Sequence, residues 1–345
     1  MGASLKDVAE RAGVSIRTVS NVVNDFPLVA AGTRERVQRA IDELQYRPNA
    51  AARSLRGGRS GLVGLVLPEI ASPYFGELAA LVTRAAERRS WTVLVEQTDG
   101  DPERERRLLD GGRAPGGQVV DGLLISPWAL SPADLRPHPG GAPVVLLGEQ
   151  DGGGLFDRVA IDNVAAAADV TRHLLATGRR RIAVVGLQPH LANGTAEQRH
   201  RGYRTALAEA GVRPDPALEV PVRRLHRADG AAAMTALLDD GRDFDALFCF
   251  TDQLALGALR AAGERGVRVP RDVALAGFDD IEDGRFSTPS LTTVAPDKAA
   301  IAEAALDRLA ERLGPGPAGP ARSVVVPHRL IGRESTRERS AQDGA

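Results

Sequence analysis

Short apolar runs alternate with amphipathic stretches from Leu62 onward, and this alternation limits the fold more than any other feature. The runs LVGLVL, WTVLV, GLLI, VVLL, RIAVV, ALFCF and VALAG begin at residues 62, 91, 122, 144, 181, 246 and 273. Helical patterns lie between most of them, at 76–89, 103–110, 164–177, 197–210, 229–239 and 252–264. Strands that alternate with helices of this length form parallel sheets with helices on both faces. Two such blocks, 61–160 and 163–290, predict two similar α/β lobes with doubly wound parallel sheets.

Composition narrows the class of protein. With 345 residues, the chain is long enough for about two domains. Its single cysteine, Cys249, excludes an internal disulfide and a multi-cysteine zinc site. No apolar run approaches the ~18–20 residues of a membrane helix, and the charged N-terminal residues are unlike a secretion signal. We therefore expect a soluble, cytoplasmic protein with no contact to a membrane.

The N-terminal part predicts three short helices, which form an all-α unit. Ser4 can cap the first helix with Asp7 as its capping-box partner, and Gly13 ends it. Ser15 can cap the second helix and Thr33 the third. The first 60 residues hold ten Lys or Arg and six Asp or Glu, a net charge of +4, whereas the rest of the chain carries −5. A small basic unit on an acidic body is typical of contact with a polyanion.

The second helix carries side chains that suit the recognition of bases. A helix-turn-helix lays its second helix in the major groove of DNA, where the first residues of that helix meet base edges. Arg17 can donate to guanine and Asn21 can pair with adenine, while Val19, Val22 and Val23 face the core. The alternative is an ordinary surface helix, since any short helix has polar residues on its wet face. The predicted base and phosphate contacts here are Ser15, Ile16, Arg17, Thr18, Ser20 and Asn21.

Six longer segments of the sequence, taken together, are more informative than these short motifs. They are LKDVAERAGVSIRTVSNVVN, TRERVQRAIDELQYRPNAAARSL, GLVGLVLPEIASPYFGEL, FDALFCFTDQLALGALRAAGERGVRVPRDVALAGFDDI, TPSLTTV and LIGREST. Together they resemble the LacI/GalR (lac-repressor) family of bacterial transcription regulators over residues 4–336. The resemblance implies a helix-turn-helix DNA-binding domain at 1–46, a hinge helix and linker at 47–60, and a ligand-binding and dimerisation domain at 61–345. The two lobes of that domain, similar to periplasmic binding proteins, are expected at 61–160 plus 292–320 and at 161–291 plus 321–336.

The resemblance also implies partners. It suggests a homodimer on an inverted-repeat operator in double-stranded DNA, with an affinity that a small molecule between the lobes controls. Leu55 matches the hinge leucine that wedges between base steps, where the contacts of a bent duplex offset the cost of unstacking. The alternative for Leu55 is a linker residue packed on the head or the body. The full set expected to contact DNA is Ser4, Ser15, Ile16, Arg17, Thr18, Ser20, Asn21, Asn24, Ala51, Ala52, Ser54 and Leu55.

Candidate ligand residues follow the apolar runs, because ligands of open α/β sheets bind beyond the carboxyl ends of strands. Ser72, Tyr74 and Phe75 come after the run at 62–67, and the two rings could stack on a sugar or a base. Phe75 could instead pack under the following helix. Asp162 could hold a ligand hydroxyl or cap the helix after it.

Three further candidates come from the resemblance. Arg199 in RHRGY and Asp279 in GFDD match the arginine and the aspartate with which the family binds ligands. Asp252 in TDQLALGAL matches another such position, although Thr251 replaces the usual asparagine before it. A guanidinium that donates in pairs and a carboxylate that accepts from hydroxyls suit a hydroxyl-rich effector. We expect a carbohydrate or a sugar phosphate, with a nucleobase as the alternative.

Motifs of catalysis and of cofactor binding are missing from the sequence. It contains no Walker-type phosphate loop, no dinucleotide-binding glycine motif after a strand and no metal spacing among its six histidines. We therefore expect no cofactor, no metal and no enzyme activity. The sequence favours a sequence-specific repressor that senses a sugar. The alternatives are a cytoplasmic solute-binding protein and a regulator that responds to purines or nucleosides.

Overall fold

The structure is a computed structural model that describes residues 3–23, 26–46, 59–111, 113–114, 118–131, 133–136, 141–150, 152–191, 194–316 and 319–337. The chain divides into two compact units, Met1–Gly61 and Leu62–Ala345. Across these described ranges, no helix is long and apolar enough to cross a membrane. The predictions for Asn24 and for the hinge residues Ala51, Ala52, Ser54 and Leu55 lie outside the described residues.

The first unit contains the three predicted helices, α1 (Leu5–Ala12), α2 (Ile16–Val23) and α3 (Ala31–Glu43). Ser4 caps α1 in a full capping box with Asp7, and Gly13 follows in the left-handed conformation with φ 66°. The Ser15 hydroxyl accepts from the Thr18 N–H at 3.1 Å, which confirms the predicted cap of α2. Val8, Val19 and Val37 are fully buried and form the small core between the helices.

The predicted cap of α3 is wrong. This helix begins at Ala31, with Ala30 at the N-cap position and no side-chain cap, so Thr33 lies inside the first turn. Ala31 and Gly32 are exposed, so water can satisfy the first N–H groups of the helix. A capping side chain is therefore not needed at this end.

The second unit contains two lobes, each with a parallel sheet. The first sheet has the order β13-β7-β6-β5-β1-β2. Its strands are β1 (Leu62–Leu67), β2 (Thr92–Gln97), β5 (Gly122–Ile125), β6 (Val144–Leu147), β7 (Asp157–Ile161) and β13 (Ser323–Val326). Helices α4 (Pro73–Glu87) and α5 (Pro102–Gly111) connect its strands, and β3 (Arg113–Ala114) and β4 (Gln118–Val119) form a short hairpin.

The second sheet has the order β11-β10-β8-β9. Its strands are β8 (Ile182–Leu187), β9 (Glu219–Pro221), β10 (Ala246–Cys249) and β11 (Ala274–Ala276). Its helices are α6 (Asn163–Ala176), α7 (Gly194–Glu209), α8 (Arg227–Asp239) and α9 (Asp252–Glu264). All seven apolar runs fall in strands of these two sheets, which confirms the predicted doubly wound α/β fold. The strands β7 and β9 were not predicted.

The last part of the chain returns between the lobes. Its elements are α10 (Asp283–Phe286), β12 (Thr293–Pro296), α11 (Lys298–Leu313), β13 and β14 (His328–Ile331). The single strand predicted at 323–331 is in fact two, because Pro327 lacks an N–H for a sheet hydrogen bond. β14 pairs antiparallel with β12, whereas β13 pairs with β7 in the first sheet. This corrects the assignment of Ser323–Val326 to the second lobe, whereas Ser335 exchanges hydrogen bonds with Leu275 of β11, in agreement with the predicted assignment of the end of the range 321–336.

Glycine lets helices α8 and α9 approach closely. A Cβ on Gly257 would lie 1.8 Å from the Arg227 carbonyl oxygen, and one on Gly230 would lie 2.0 Å from the Leu254 carbonyl oxygen. Helix backbones can meet at this distance only where both contact positions lack a side chain. The two helices therefore form a closely packed pair on the second sheet.

We expect Gly257→Ala to destabilise the second lobe, because the added methyl group forces the two backbones apart at a cost of roughly 1–3 kcal/mol. Gly263→Ala on the same helix is the control, since a Cβ at that position would meet no atom within 4 Å. That change should be neutral or should stabilise by up to about 1 kcal/mol. Urea unfolding followed by circular dichroism measures both, and equal midpoints for the two variants would contradict the close approach.

Candidate functional site

The start of α2 presents the predicted base-reading residues at the surface of the first unit. Ser15 and Arg17 are exposed, and Ile16 is 39% exposed although it is apolar. Val19 and Val22 on the opposite side are buried, as predicted. Arg17 forms no ion pair with any residue in the described part of the chain. The first turn of α2 therefore offers a guanidinium and an apolar side chain to a partner.

The remaining predicted contacts of the first unit lie close to these. Thr18, Ser20 and Asn21 are partly exposed along α2. The hydroxyls of Ser15 and Thr18 lie 2.9 Å apart and share a hydrogen bond. Ser4 is exposed, and its hydroxyl also bonds to Asp7 at 2.8 Å. These hydroxyls stabilise the helix starts and stand beside the N–H groups that favour a phosphate.

A cleft opens in the second unit where the carboxyl ends of the two sheets meet. It encloses about 1060 Å³, open solvent at its mouth included. Segments that follow β1, β5, β6 and β10 line it, as expected for an open α/β sheet. Five of the seven predicted ligand residues line this cleft, namely Ser72, Tyr74, Phe75, Arg199 and Asp279.

Arg199 is the buried cation of the cleft. Its Nε donates to Asn163 Oδ1 at 2.7 Å, and its Nη1 donates to the Phe250 carbonyl. Its Nη2 lies 3.7 Å from Asp279 Oδ1, and its Cζ lies 3.5 Å from the centre of the Phe278 ring. Only 7% of the residue is exposed. The guanidinium is therefore held on three sides and reaches the cleft in one fixed position.

Asp279 is the buried carboxylate beside it. Its backbone has φ 113°, a conformation that residues other than glycine rarely adopt. Its N–H donates to the Val294 carbonyl at 2.9 Å, and its carbonyl accepts from Lys298 Nζ at 2.8 Å. Burial raises the pKa of Asp279 to about 7, and the charges of Arg199 and Lys298 oppose that rise.

A second acidic residue, Glu149, lines the cleft and has no counterpart among the sequence-based predictions. It follows β6, and its carboxylate accepts hydrogen bonds from the Asn163 amide and from the Thr195 hydroxyl. These bonds join the first lobe to the start of the second. The rule that singled out Ser72 after β1 could have found Glu149 in the GEQ segment that follows VVLL.

The sequence-based predictions also missed an aromatic residue in the lining of the cleft. Trp128 follows β5 and lines the cleft. Glu105 holds its loop, because this fully buried carboxylate accepts from the N–H groups of Trp128, Ala129 and Leu130 at 2.9, 3.1 and 3.2 Å. Burial raises the pKa of Glu105, and these hydrogen bonds act against the rise. The buried carboxylate of Glu105 thus fixes the backbone of the loop that carries Trp128.

Tyr74 and Phe75 form the second group of aromatic side chains in the lining of the cleft. Their rings meet edge to face with centroids 5.2 Å apart. Lys298 Nζ lies 5.7 Å from the centre of the Tyr74 ring. Burial and the charge of Asp279 raise the pKa of Tyr74 above its usual range, so its hydroxyl stays protonated at neutral pH.

Two predicted ligand residues do not line the cleft: Asp162 has the capping role that was the alternative to its ligand role, and the ligand assignment of Asp252 is corrected. Asp162 is exposed and caps α6, since it accepts from the Ala165 N–H at 2.9 Å. Asp252 is fully buried beneath the 277–281 loop, where its two oxygens accept from the Thr293 hydroxyl at 2.6 Å and from the Ile281 N–H at 2.9 Å. A carboxylate after a strand can point under the next loop as readily as into a cleft.

The mouth of the cleft has one more polar link between the lobes. His226 Nε2 lies 2.8 Å from Glu69 Oε2, and both residues line the cleft.

Among the described residues, no group of three or more His, Cys, Asp or Glu side chains could hold a metal ion. Cys249 is buried in β10, and burial raises the pKa of its thiol well above the usual range.

We expect Asp279→Asn to change how stability depends on pH. Because burial raises the pKa of Asp279 to about 7, the folded protein holds a proton between pH 4 and pH 7 that the unfolded chain releases. The stabilisation is complete below pH 4 and is lost as the pH rises through 7. Wild type should therefore lose up to about 4 kcal/mol relative to Asp279→Asn between pH 4 and pH 8.

Urea unfolding at several pH values measures this difference. The exposed Glu282, changed to Gln, is the control in the same loop and should follow the wild-type curve. Parallel curves for wild type and Asp279→Asn would mean that Asp279 ionises as freely in the folded protein as in the unfolded chain.

Comparison with known proteins assigns both units. The family model for bacterial regulatory proteins of the lacI family matches residues 4–49. The model for a periplasmic binding protein-like domain matches residues 171–336. The first match covers the three-helix unit, and the second covers the second lobe and the returning C-terminal segment.

Whole-length relatives agree with these matches. The regulator DegA of Bacillus subtilis (strain 168) is 32% identical over 97% of this chain and 98% of its own. The repressor PurR of Haemophilus influenzae (strain PittEE) is 34% identical over 90% of this chain and 91% of its own. Among solved structures, a CelR–cellobiose complex is 32% identical with a TM-score of 0.70, over 96% of this chain and 99% of that one. The lac repressor dimer bound to operator and to the anti-inducer ONPF is 28% identical with a TM-score of 0.83, over 97% and 99%. This protein therefore belongs to the LacI family of bacterial DNA-binding transcription regulators, which are not enzymes.

Proposed function

We propose that this protein is a repressor that binds an inverted-repeat operator as a homodimer in the cytoplasm and that an uncharged carbohydrate controls its DNA affinity. The observation that carries the choice of effector is the set of charged groups that line the cleft, which includes two carboxylates and one guanidinium. Glu149 and Asp279 supply acceptors, and Arg199 supplies donors. Each hydrogen bond between such a charged group and a ligand hydroxyl contributes about 1.5–3 kcal/mol.

The charges in the part of the cleft that contains Asp279 argue against an anionic group at that position. Arg199 already has three polar partners, while Glu149, Asp279 and Glu69 add three acidic groups to the lining. A phosphate next to these carboxylates would meet like charges at low dielectric. We therefore keep the carbohydrate from the sequence-based expectation and drop the sugar phosphate.

The aromatic residues support the same choice. A sugar ring has an apolar face that packs on an aromatic ring, while its hydroxyls point outward to polar groups. Trp128 and the pair Tyr74 and Phe75 supply such faces on the first lobe. The cellobiose named in the related CelR complex is a ligand of this class.

A purine base is the second candidate for the effector. The repressors named PurR among the relatives favour it, and the edge-to-face pair of Tyr74 and Phe75 could enclose a flat ring. The N–H donors of a purine all lie in the plane of its ring, whereas the hydroxyls of a sugar project from several carbons in different directions. The sugar can therefore meet Glu149 and Asp279 in more orientations, which makes the carbohydrate the better fit.

The proposed mechanism couples the cleft to the first unit through residues 47–60. Two recognition helices of a dimer enter successive major grooves of the operator, and the hinge segments order in the minor groove between them. Leu55 is the proposed wedge between base steps. An effector that favours one arrangement of the lobes changes the spacing of the hinges, and this difference between the two states alters the DNA affinity.

Selection from random duplex DNA tests the proposal as a whole. Full-length protein should enrich an inverted repeat whose half-sites are about one helical turn apart or a multiple of it. Addition of the effector should change the affinity for that duplex. Enrichment of no sequence at low salt, where phosphate contacts are strongest, would contradict the base-reading role of α2.

We expect Arg17→Ala to weaken binding to the selected operator by about 1–3 kcal/mol and to relax specificity at one base pair, because a bidentate contact to a base is lost. Binding to random DNA should change little. Arg36→Ala on α3 removes the same charge from another exposed arginine of the first unit and is the control. Fluorescence anisotropy on both duplexes measures the effect, and an equal loss on the two duplexes for Arg17→Ala would assign that residue to phosphate contacts.

A further inference from the structure

The cleft has a second compartment beyond the one that contains Arg199 and Asp279. This outer compartment encloses about 870 Å³, open solvent included, and it shares the residues Pro68, Glu69, Trp128 and His226 with the inner one. The two spaces therefore meet along a common wall, and one elongated molecule could occupy both.

Trp128 is the aromatic residue on that common wall. Its loop is fixed by Glu105, which accepts from three consecutive backbone N–H groups. On its outer side the indole lies against Gly100, where an added Cβ would come within 3.6 Å of the ring. Because the backbone of this loop is already fixed, a ligand that packs on Trp128 does not have to order the loop, and such preorganisation favours binding.

The polar groups of the outer compartment differ from those of the inner one. Arg223 and Arg224 line it with exposed side chains, and neither guanidinium forms an ion pair within the described part of the chain. Gln188 holds this segment in place, since its amide donates to the Arg223 carbonyl at 3.1 Å. The carboxylates that also line the outer space, Asp99 and Glu69, already accept from Gln97, Arg104 and His226, so Arg223 and Arg224 are the donors that this space adds to the inner one.

We infer that the outer compartment is a subsite for a second saccharide unit, so that the effector is an oligosaccharide of at least two units. The inner unit meets Glu149, Asp279 and Arg199, the linkage passes Trp128, and the outer unit accepts hydrogen bonds from Arg223 and Arg224. This inference rests on the proposed carbohydrate effector. It specifies a minimum length for the effector and the compartment in which each unit lies, neither of which follows from the inner site alone.

Isothermal titration calorimetry on the full-length protein tests the inference. The probes are glucose, galactose, xylose and mannose, together with cellobiose, maltose, lactose, xylobiose and mannobiose. The tightest disaccharide should bind roughly tenfold or more tightly than either of its constituent sugars, which corresponds to at least one additional charge-assisted hydrogen bond.

The double variant Arg223→Ala/Arg224→Ala separates the two compartments. It should weaken that disaccharide by about tenfold and leave the affinity of the constituent monosaccharides unchanged. Arg213→Ala/Arg271→Ala removes the same charge from exposed positions that do not line either compartment and should change neither affinity.

The outcomes distinguish the inference from the proposal on which it rests. A monosaccharide that binds as tightly as every disaccharide containing it, or an equal loss of both in Arg223→Ala/Arg224→Ala, would overturn the outer subsite and leave the carbohydrate effector standing. If none of the sugars binds, the carbohydrate effector is wrong and the outer subsite fails with it. This conclusion does not depend on whether hypoxanthine or guanine binds.

Discussion

Arg199 brings a full positive charge into a nearly closed part of the second lobe, where an unpaired guanidinium would cost several kcal/mol. Its partners come from three places in the chain: Asn163 at the start of α6, the Phe250 carbonyl after β10 and Asp279 after β11. Satisfying this one cation therefore fixes three segments relative to one another at the carboxyl edge of the second sheet. The floor of the cleft depends on that arrangement.

The two lobes meet in the cleft through polar contacts. Glu149 binds Thr195, and Glu69 meets His226. Lys298 donates both to Glu77 of the first lobe and to the Asp279 carbonyl of the second. Each of these hydrogen bonds involves a charged group and contributes about 1.5–3 kcal/mol, so a ligand that replaces one of them changes the balance between arrangements of the lobes by a comparable amount. The relative position of the lobes can therefore respond to whatever occupies the cleft.

Much of this architecture could be predicted from the sequence, because buried parallel strands appear as continuous apolar runs. Arg199 and Asp279 could be found because their surroundings match a long family pattern. Glu105 could not, since it looks like one more charge on an amphipathic helix, and its backbone partners lie 23 to 25 residues further along. Asp252 shows the opposite error, because the position after a strand does not tell whether a carboxylate points into the cleft or beneath a loop.

The backbone of Asp279, with φ 113°, has a consequence for the evolution of this protein. An L-residue in that region carries a strain of about 1–3 kcal/mol, which glycine would relieve. Selection for thermal stability alone would thus favour Gly at this position, and the carboxylate that faces the cleft would be lost. Under the proposed function, an acid at this position trades stability for recognition, so variants of this chain selected for stability would lose their response to the effector before they lose their fold.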